Sequence, residues 1–416
     1  MLLGGKVFIQ MKNTKKQYST MKTDLQEFRK YVAQIGEIDE IILDPVKAEG
    51  IWVYTSDGKK YMDLLSGICV GNVGHKNTEV VAAIEKQIKE YLHVMVYGEY
   101  MQKPQLDYIK RLKEFLPKEL AQIFYVNSGS EAIEGAIKAA KLYNGRKEII
   151  NYENSYHGST LACVSMLSDK VYTQRFEPLL PDCSFIKFNK EEDLEKITEE
   201  TCCVVAECIA VGEGVELPKE DYLRKLRERC NQTGAVLILD EIQTGFGRTG
   251  KMFAFEHYGI IPDILCIAKA MGGGLPIGAF IGKEEIMNAL NNHHPLIGHA
   301  TTYGGNPVCL SSALATLNYI ADNDLLQGVE QKGELYKSLL KHRHIKEVRG
   351  KGMFNCIELK AGVDWRKALI SCFKHGIITG THLFNSMCLS IKPPLIITEE
   401  EIKESIDRIL SALDEI

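Results

Sequence analysis

Between about residues 120 and 310, short apolar runs recur between longer amphipathic stretches, and this beat limits the fold more than any other feature of the chain. The runs are Ile123 to Val126, Glu148 to Asn151, Cys202 to Ala206, Val236 to Leu239, Ile264 to Ala268 and Gly278 to Ile281. They are almost continuously apolar, not alternating, so each reads as a strand covered on both faces. Helical spacing at Glu131 to Tyr143 and Lys219 to Thr233 supplies the covers, which predicts an α/β domain with a mostly parallel sheet. The last hundred residues lack that beat. Helical patterns at Val308 to Ala321, Leu325 to Lys341 and Thr398 to Leu413 surround short strands near Lys346 to Leu359 and Cys388 to Lys392, which predicts a smaller α+β domain. Residues 24–66 are expected to join it, because Gly50 to Asp63 reads as a hairpin turning at Asp57-Gly58. The expected division is a flexible N-terminal arm at 1–23, the first part of the small domain at 24–66, the large domain at 67–307 and the rest of the small domain at 308–416. The arm is read from lysines at 12, 15, 16 and 22 with no acidic residue before Asp24.

Composition removes several function classes. A chain of 416 residues has room for two or three domains with sizeable cores. Fifty Lys and Arg against 55 Asp and Glu give a net charge of −5, so no global basic field favours nucleic acid or an anionic membrane surface. The 12 Cys are scattered through apolar runs and read as reduced, buried thiols of a cytoplasmic protein. Neither a CxxC pair nor an HExxH motif is present, so no metal site is expected. The longest weakly charged run, Ile264 to Gly282, is broken by Lys269, Pro276 and five Gly and does not read as a membrane span.

Three features carry chemistry. Asn127-Ser128-Gly129-Ser130-Glu131 follows one strand and opens a helix, with Ser128 and Glu131 at capping-box spacing. Gly129 lets a ligand approach the backbone, and free amides with the helix dipole suit an anion such as a phosphate, although an ordinary capped helix carries the same signature. Asp240 ends the run Val236 to Leu239 and Lys269 ends the run Ile264 to Ala268, so both emerge at the carboxyl edge of the sheet, where open α/β folds bind ligands. A lysine between an apolar strand and the glycines 272 to 274 can be desolvated enough for Schiff-base chemistry, or can simply snorkel to solvent. Gly245-Phe246-Gly247-Arg248-Thr249-Gly250 is a literal GxGxxG. It begins five residues after Asp240, and no second strand with a terminal acid follows, so it reads as a loop and not as a dinucleotide site.

Taken together, Asn127 to Ala132, Tyr156-His157-Gly158, Leu239 to Gly250, Ala268-Lys269 with its glycine loop, and Thr301 to Pro307 resemble the class III aminotransferases of pyridoxal phosphate fold type I. The acetylornithine, ornithine and 4-aminobutyrate enzymes are its best-known members, and the likeness runs from about residue 40 to 410 in the family's order. It implies a large domain, 67–307, with a mostly parallel seven-stranded sheet that binds pyridoxal 5′-phosphate (PLP), plus a smaller α+β domain. It implies that Lys269 holds the cofactor aldehyde as a Schiff base and moves the proton in catalysis, and that Asp240 pairs with the pyridine nitrogen. Gly129 and Ser130 would hold the phosphate, Tyr156 would stack on the ring and Gln243 would reach the phenolate oxygen. Ser128, His157 and Glu207 complete the cofactor set, although His157 and His75 also read as packing or turn residues. Thr302 would reach the cofactor phosphate of the neighbouring subunit, so a homodimer with shared sites is expected. The implied reaction moves an amino group from a primary, often terminal, amine to a 2-oxo acid by a ping-pong route. An aminomutase or decarboxylase on the same scaffold would use the same residues.

Two positions depart from the family pattern. Members that use glutamate carry an Arg three residues before the C-terminal Pro, where Leu389-Ser390-Ile391-Lys392-Pro393 has Ser390. They also carry a second Glu in a Glu-Pro-Ile-Gln-Gly-Glu segment, where Glu207-Cys208-Ile209-Ala210-Val211-Gly212 has Gly212 and places Glu213 one residue later. Losing both partners avoids a buried unpaired carboxylate. The expectation is carboxylate recognition of an unusual kind, with Lys392 on the strand face of Ser390 as one candidate replacement. Against it stands a slipped alignment in which Lys392 or Glu213 does the family's job. Ile68, Cys69 and Val70, with Tyr97 and Glu99, are expected at the outer pocket.

Overall fold

The computed structural model describes residues 24–33, 40–219, 221–291 and 299–416, and the arm expected at 1–23 lies outside them. Near the N-terminus, β1 (Pro45–Glu49), β2 (Trp52–Thr55) and β3 (Lys60–Asp63) form a meander. Its second turn falls at Asp57-Gly58, where Gly58 has φ +83°, a value glycine adopts without a Cβ penalty.

The next strands build the large sheet: β4 (Gln122–Val126), β5 (Glu148–Tyr152), β6 (Cys183–Ile186), β7 (Thr201–Glu207), β8 (Val236–Asp240), β9 (Ile264–Ile267) and β10 (Gly278–Gly282). Their spatial order is β4-β10-β9-β8-β7-β5-β6. β6, β5, β7, β8 and β9 run parallel, while β10 is antiparallel to both its neighbours. No crossover helix separates β9 from β10, so the chain turns straight back and must pair antiparallel. β4, antiparallel to β10, therefore points the same way as the parallel five. The carboxyl ends of β4, β5, β7, β8 and β9 share one edge.

Helix α1 (Gly129–Asn144) shows how the sheet is covered. Its buried face is Ala132, Ile133, Ala136, Ile137, Ala139 and Ala140, small enough for close approach to the strands. At Gly135 a Cβ would stand 2.3 Å from Phe280 of β10, so the contact tolerates no side chain. The helix ends at Gly145, φ +72°. In β8, Val236, Leu237, Ile238 and Leu239 are each 3% exposed or less, and each such burial is worth about 1.5–3 kcal/mol. Helix α2 (Tyr222–Thr233) starts three residues later than its spacing predicts, because Lys219 N is held outside the helix by Asn189 Oδ1 at 2.8 Å.

Beyond the sheet, α3 (Pro307–Asp322) packs back on the large core. α4 (Val329–Leu339) is shorter than the expected Leu325 to Lys341, since Gly328 at φ +79° ends any continuous helix before it. The antiparallel sheet β11 (Ile345–Lys351), β12 (Phe354–Leu359) and β14 (Cys388–Ile391) follows, with β13 (Ile377–Ile378) pairing with β3 between them in sequence. α5 (Glu399–Asp414) closes the chain behind a complete Thr398/Glu401 capping box. No helix among the described residues is long and apolar enough to cross a membrane.

Candidate active site

At the shared sheet edge lies a cavity of about 410 Å³, lined among others by Ser128, Gly129, Ser130, Tyr156, His157, Glu207, Asp240, Gln243 and Lys269. These nine, up to 141 positions apart in sequence, meet there because each lies at the end of a strand or in the segment after it. The register sets Glu207 of β7 beside Asp240 of β8, and Asp240 beside Cys266 of β9, three residues before Lys269.

The N-terminus of α1 forms one wall. Ser128 Oγ accepts from Glu131 N at 3.2 Å, as a cap should. The expected reciprocal bond is displaced by one residue, because the Glu131 carboxylate accepts from Asn127 N at 2.6 Å and from the Asn127 amide. The first turn leaves the amides of Gly129 and Ser130 without intrahelical acceptors. Gly158 lies against this turn at φ +133°, where a Cβ would stand 2.0 Å from Ser130 Oγ and 3.1 Å from Ser130 Cα. The close approach fixes where the Ser130 hydroxyl can be.

Asp240 holds two contacts. Its Oδ1 accepts from Ile242 N at 3.0 Å, and its Oδ2 lies 2.7 Å from His157 Nδ1. Burial lowers the His157 pKa, but the hydrogen bond to Asp240 and the charges of Asp240 and Glu207 together outweigh it, and the imidazole is raised above its ordinary value. Among the described residues, His157 Nε2 is buried without a hydrogen-bond partner. The packing role read from the sequence is thus joined by a hydrogen bond across 83 residues that local pattern could not reveal. Burial pushes the Glu207 carboxyl up to about 7, with His157 opposing the shift.

Lys269 sits in a left-handed backbone conformation, φ +47°, at the start of a short 3-10 turn, Lys269–Gly272. Such strain in a non-glycine residue persists only where the surroundings enforce it. Burial lowers the pKa of its amine. Tyr156 is 38% exposed on the cavity wall and bonds Ser159 Oγ at 2.8 Å. Gln243 is half-buried on the lining. Thr302 is exposed and is not part of this lining.

A second strained segment borders the cavity. Ser66, Gly67, Ile68 and Cys69 all have positive φ, between 47° and 65°. Asp63 Oδ1 holds the amides of Leu65 and Ser66 at 2.9 and 2.8 Å, and Ser66 Oγ donates to Lys392 O at 2.7 Å. Arg248, the middle of the GxGxxG loop, is fully buried and binds Ser66 Oγ at 3.0 Å, Met353 O at 3.2 Å, Asn72 Oδ1 and Pro393 O. That loop is therefore a brace between distant chain segments. Of the expected outer-pocket residues, Val70 lines the cavity, Cys69 is buried behind it, and Ile68, Tyr97 and Glu99 are exposed. His75 pairs with Asp63 at 2.9 Å.

At the departures from pattern, Ser390 is 4% exposed and its Oγ lies 3.1 Å from His382 Nε2. His382 Nδ1 faces Val211 O at 2.7 Å, so Nδ1 carries the proton and Nε2 accepts from the serine. Burial pushes the His382 pKa down to about 3, which keeps the pair neutral. At Gly212 a Cβ would stand 1.8 Å from Asn154 O, so the backbone here leaves no room for a glutamate. Glu213 points to the exposed side and accepts from Asn154 Nδ2 at 2.5 Å.

The donor set fits PLP: a helix start that suits an anion, with the Ser130 hydroxyl, whose oxygen accepts from Ser159 N at 3.4 Å, able to donate to a phosphate, a carboxylate for a pyridine nitrogen and a desolvated amine for an aldehyde. No group of His, Cys, Asp and Glu able to hold a metal occurs among the described residues.

Known proteins give the same direction. The profile of the family described as aminotransferase class III matches residues 34–413. Acetylornithine aminotransferase of Methanocaldococcus jannaschii is 41% identical over 401 residues, covering 93% of this chain and 96% of that protein. The [LysW]-aminoadipate semialdehyde/glutamate semialdehyde transaminase of Sulfurisphaera tokodaii is 37% identical over 321 residues, 76% of this chain and 81% of that one. The crystal structure of ornithine aminotransferase from Toxoplasma gondii superposes with a TM-score of 0.87 at 26% identity, covering 95% of each chain. A second structure of the T. gondii enzyme has PLP at partial occupancy in its active site.

Proposed function

The chain belongs to the class III aminotransferases, a PLP-dependent family, and from that premise we propose an enzyme that moves the amino group of a primary, often terminal, amine or amino acid to a 2-oxo acid by a ping-pong route. The observation that carries this reading is the convergence of Lys269, Asp240 and the start of α1 on one cavity. When bound, PLP would supply an electron sink for the donor carbon that loses its proton. The chain's own residues do the rest. Lys269 Nζ offers an amine that burial keeps less basic, able to take the proton from the amine-bearing carbon of the donor and hand it on to the cofactor side. Asp240, held by Ile242 N and His157, would present its carboxyl group to the ring nitrogen. Gly129 and Ser130 would hold the phosphate, with Ser128 capping the helix behind them. Tyr156 would cover the ring and Gln243 would meet its oxygen, while His157 and Glu207 would act through Asp240.

We further infer that carboxylate recognition is unusual. Ser390 has no cation to offer and its hydroxyl is engaged by His382, while Gly212 cannot be replaced by an acid without moving Asn154. Both observations favour this reading over a slipped alignment at Glu213, whose carboxylate is turned to Asn154. The working unit is proposed to be a cytoplasmic homodimer in which Thr302, outside its own chain's cavity, serves the neighbouring subunit. Within the fold, residues 24–66 and 308–416 are proposed as the small domain and 67–307 as the large one.

A panel of terminal amines and amino acids, given singly and without acceptor, should convert the bound cofactor to pyridoxamine phosphate, and N-acetylornithine belongs on it because relatives bear that name. Pyruvate and 2-oxoglutarate then serve as rival acceptors. Carbon dioxide release, or product formation with no second substrate, would overturn the aminotransferase reading. Saturation by micromolar 2-oxoglutarate would overturn the carboxylate reading.

A further inference from the structure

Lys392 is 4% exposed, and among the described residues its ammonium has neither a hydrogen-bond acceptor nor a carboxylate partner. Its ammonium lies over the face of Phe354, with Nζ 4.5 Å from the ring centroid. The main chain is pinned on both sides, Lys392 N donating to Leu64 O at 2.7 Å and Lys392 O accepting from Ser66 Oγ at 2.7 Å. The side chain cannot swing away with its backbone.

Phe354 packs in a small apolar cluster with Cys69, Ile209, Val211, Val215, Cys356 and Cys388, and Ile209 and Val211 also line the cavity. Lys392, seated on Phe354, therefore lies in the layer behind the cavity's apolar wall, two residues along the strand face from Ser390. Burial lowers the Lys392 pKa, the cations Lys269 and Arg248 lower it further and the thiols of Cys69 and Cys356 oppose them, so a carboxylate beside the amine would restore its charge. A buried cation without a counter-ion is costly, and a ring face offsets only part of the cost. Groups kept at such expense cluster where a ligand completes them.

We propose that Lys392 receives the substrate's carboxylate, that of the 2-oxo acid and of an amino-acid donor alike, as a point charge in place of the two-pronged clamp that Ser390 lacks. The inference rests on the aminotransferase reading and deepens it. An ammonium has no fixed fork, so it should accept acids of differing shape, pyruvate among them.

The test compares the holoenzyme with Lys392→Met and Lys392→Arg. Removing an uncompensated buried charge in favour of an isosteric apolar chain should leave the melting temperature level or raise it. The dissociation constant for propionate, a carboxylate that cannot react, read from the visible band, should rise about 10- to 100-fold in Lys392→Met. Selectivity for alanine over a carboxyl-free amine as donor, and for pyruvate over a carboxyl-free aldehyde as acceptor, should fall by a similar factor, and Lys392→Arg should recover most of these losses. Unchanged propionate binding in Lys392→Met, or a drop in its melting temperature with acid and amine affected alike, overturns the proposal and makes Lys392 a packing residue. If the parent transfers no amino group the aminotransferase reading fails, and the propionate titration still decides the role of Lys392.

Discussion

Replacing Gly158 by Ala should weaken cofactor binding as well as strain the fold. At φ +133° the backbone is in a region that costs any other residue about 1–3 kcal/mol. The added Cβ would stand 2.0 Å from Ser130 Oγ, 2.7 Å from Ser130 Cβ and 3.1 Å from Ser130 Cα. Turning the hydroxyl away relieves only the first contact. The other two require the first turn of α1 or the Tyr156 loop to move, and either shift withdraws the Ser130 hydroxyl from a phosphate on the helix axis. Losing one hydrogen bond to a charged group is worth about 1.5–3 kcal/mol, so the PLP dissociation constant should rise about 10- to 100-fold. Fluorescence titration of PLP into a Lys269→Ala background, where no covalent bond masks the change, reads it directly. Gly145→Ala is the control, since that glycine also has positive φ, +72°, but a Cβ there meets nothing within 4 Å. It should cost stability of about 1 kcal/mol and leave PLP affinity alone. Equal PLP affinity in Gly158→Ala and the parent, or equal weakening in both variants, would refute the reasoning.

Two further outcomes are expected. Asp240→Asn removes the charge facing the ring position and the partner of His157, and should lower kcat by about 10²- to 10³-fold with the visible spectrum altered. His382 has a folded pKa near 3 against about 6.5 unfolded, so the unfolded chain binds the proton first. Its contribution is present above pH 6.5 and is lost as pH falls towards 3, at up to about 1.4 kcal/mol per pH unit. Urea midpoints at pH 7, 5.5 and 4 should therefore converge between the parent and His382→Leu as pH drops, and parallel curves would count against a buried neutral imidazole.

The sequence made legible whatever depends on neighbours along the chain. A strand ended by one polar residue announces its edge position, which is why Asp240, Lys269 and the start of α1 could be placed before any coordinates. Short β6 has four residues and no internal pattern, and it was covered only by the seven strands that the family likeness implies. Long-range pairings left no local trace. The His157 contact with Asp240 spans 83 residues, and Arg248 reaches acceptors 105 to 182 residues away. The displaced bond of Glu131 to Asn127 has the residue types of a capping box and differs only in which amide the carboxylate meets. The left-handed run from Ser66 to Cys69 includes the β-branched Ile68, which propensity alone would never place there.

Reduction of the holoenzyme with borohydride, followed by peptide mapping, tests most directly whether the amine at the end of β9 is the cofactor's attachment point. A pyridoxyl adduct on the peptide carrying Lys269, absent from Lys269→Ala, is the expected result. An adduct on another lysine, Lys392 included, or none at all in protein that retains its yellow colour, would contradict the account.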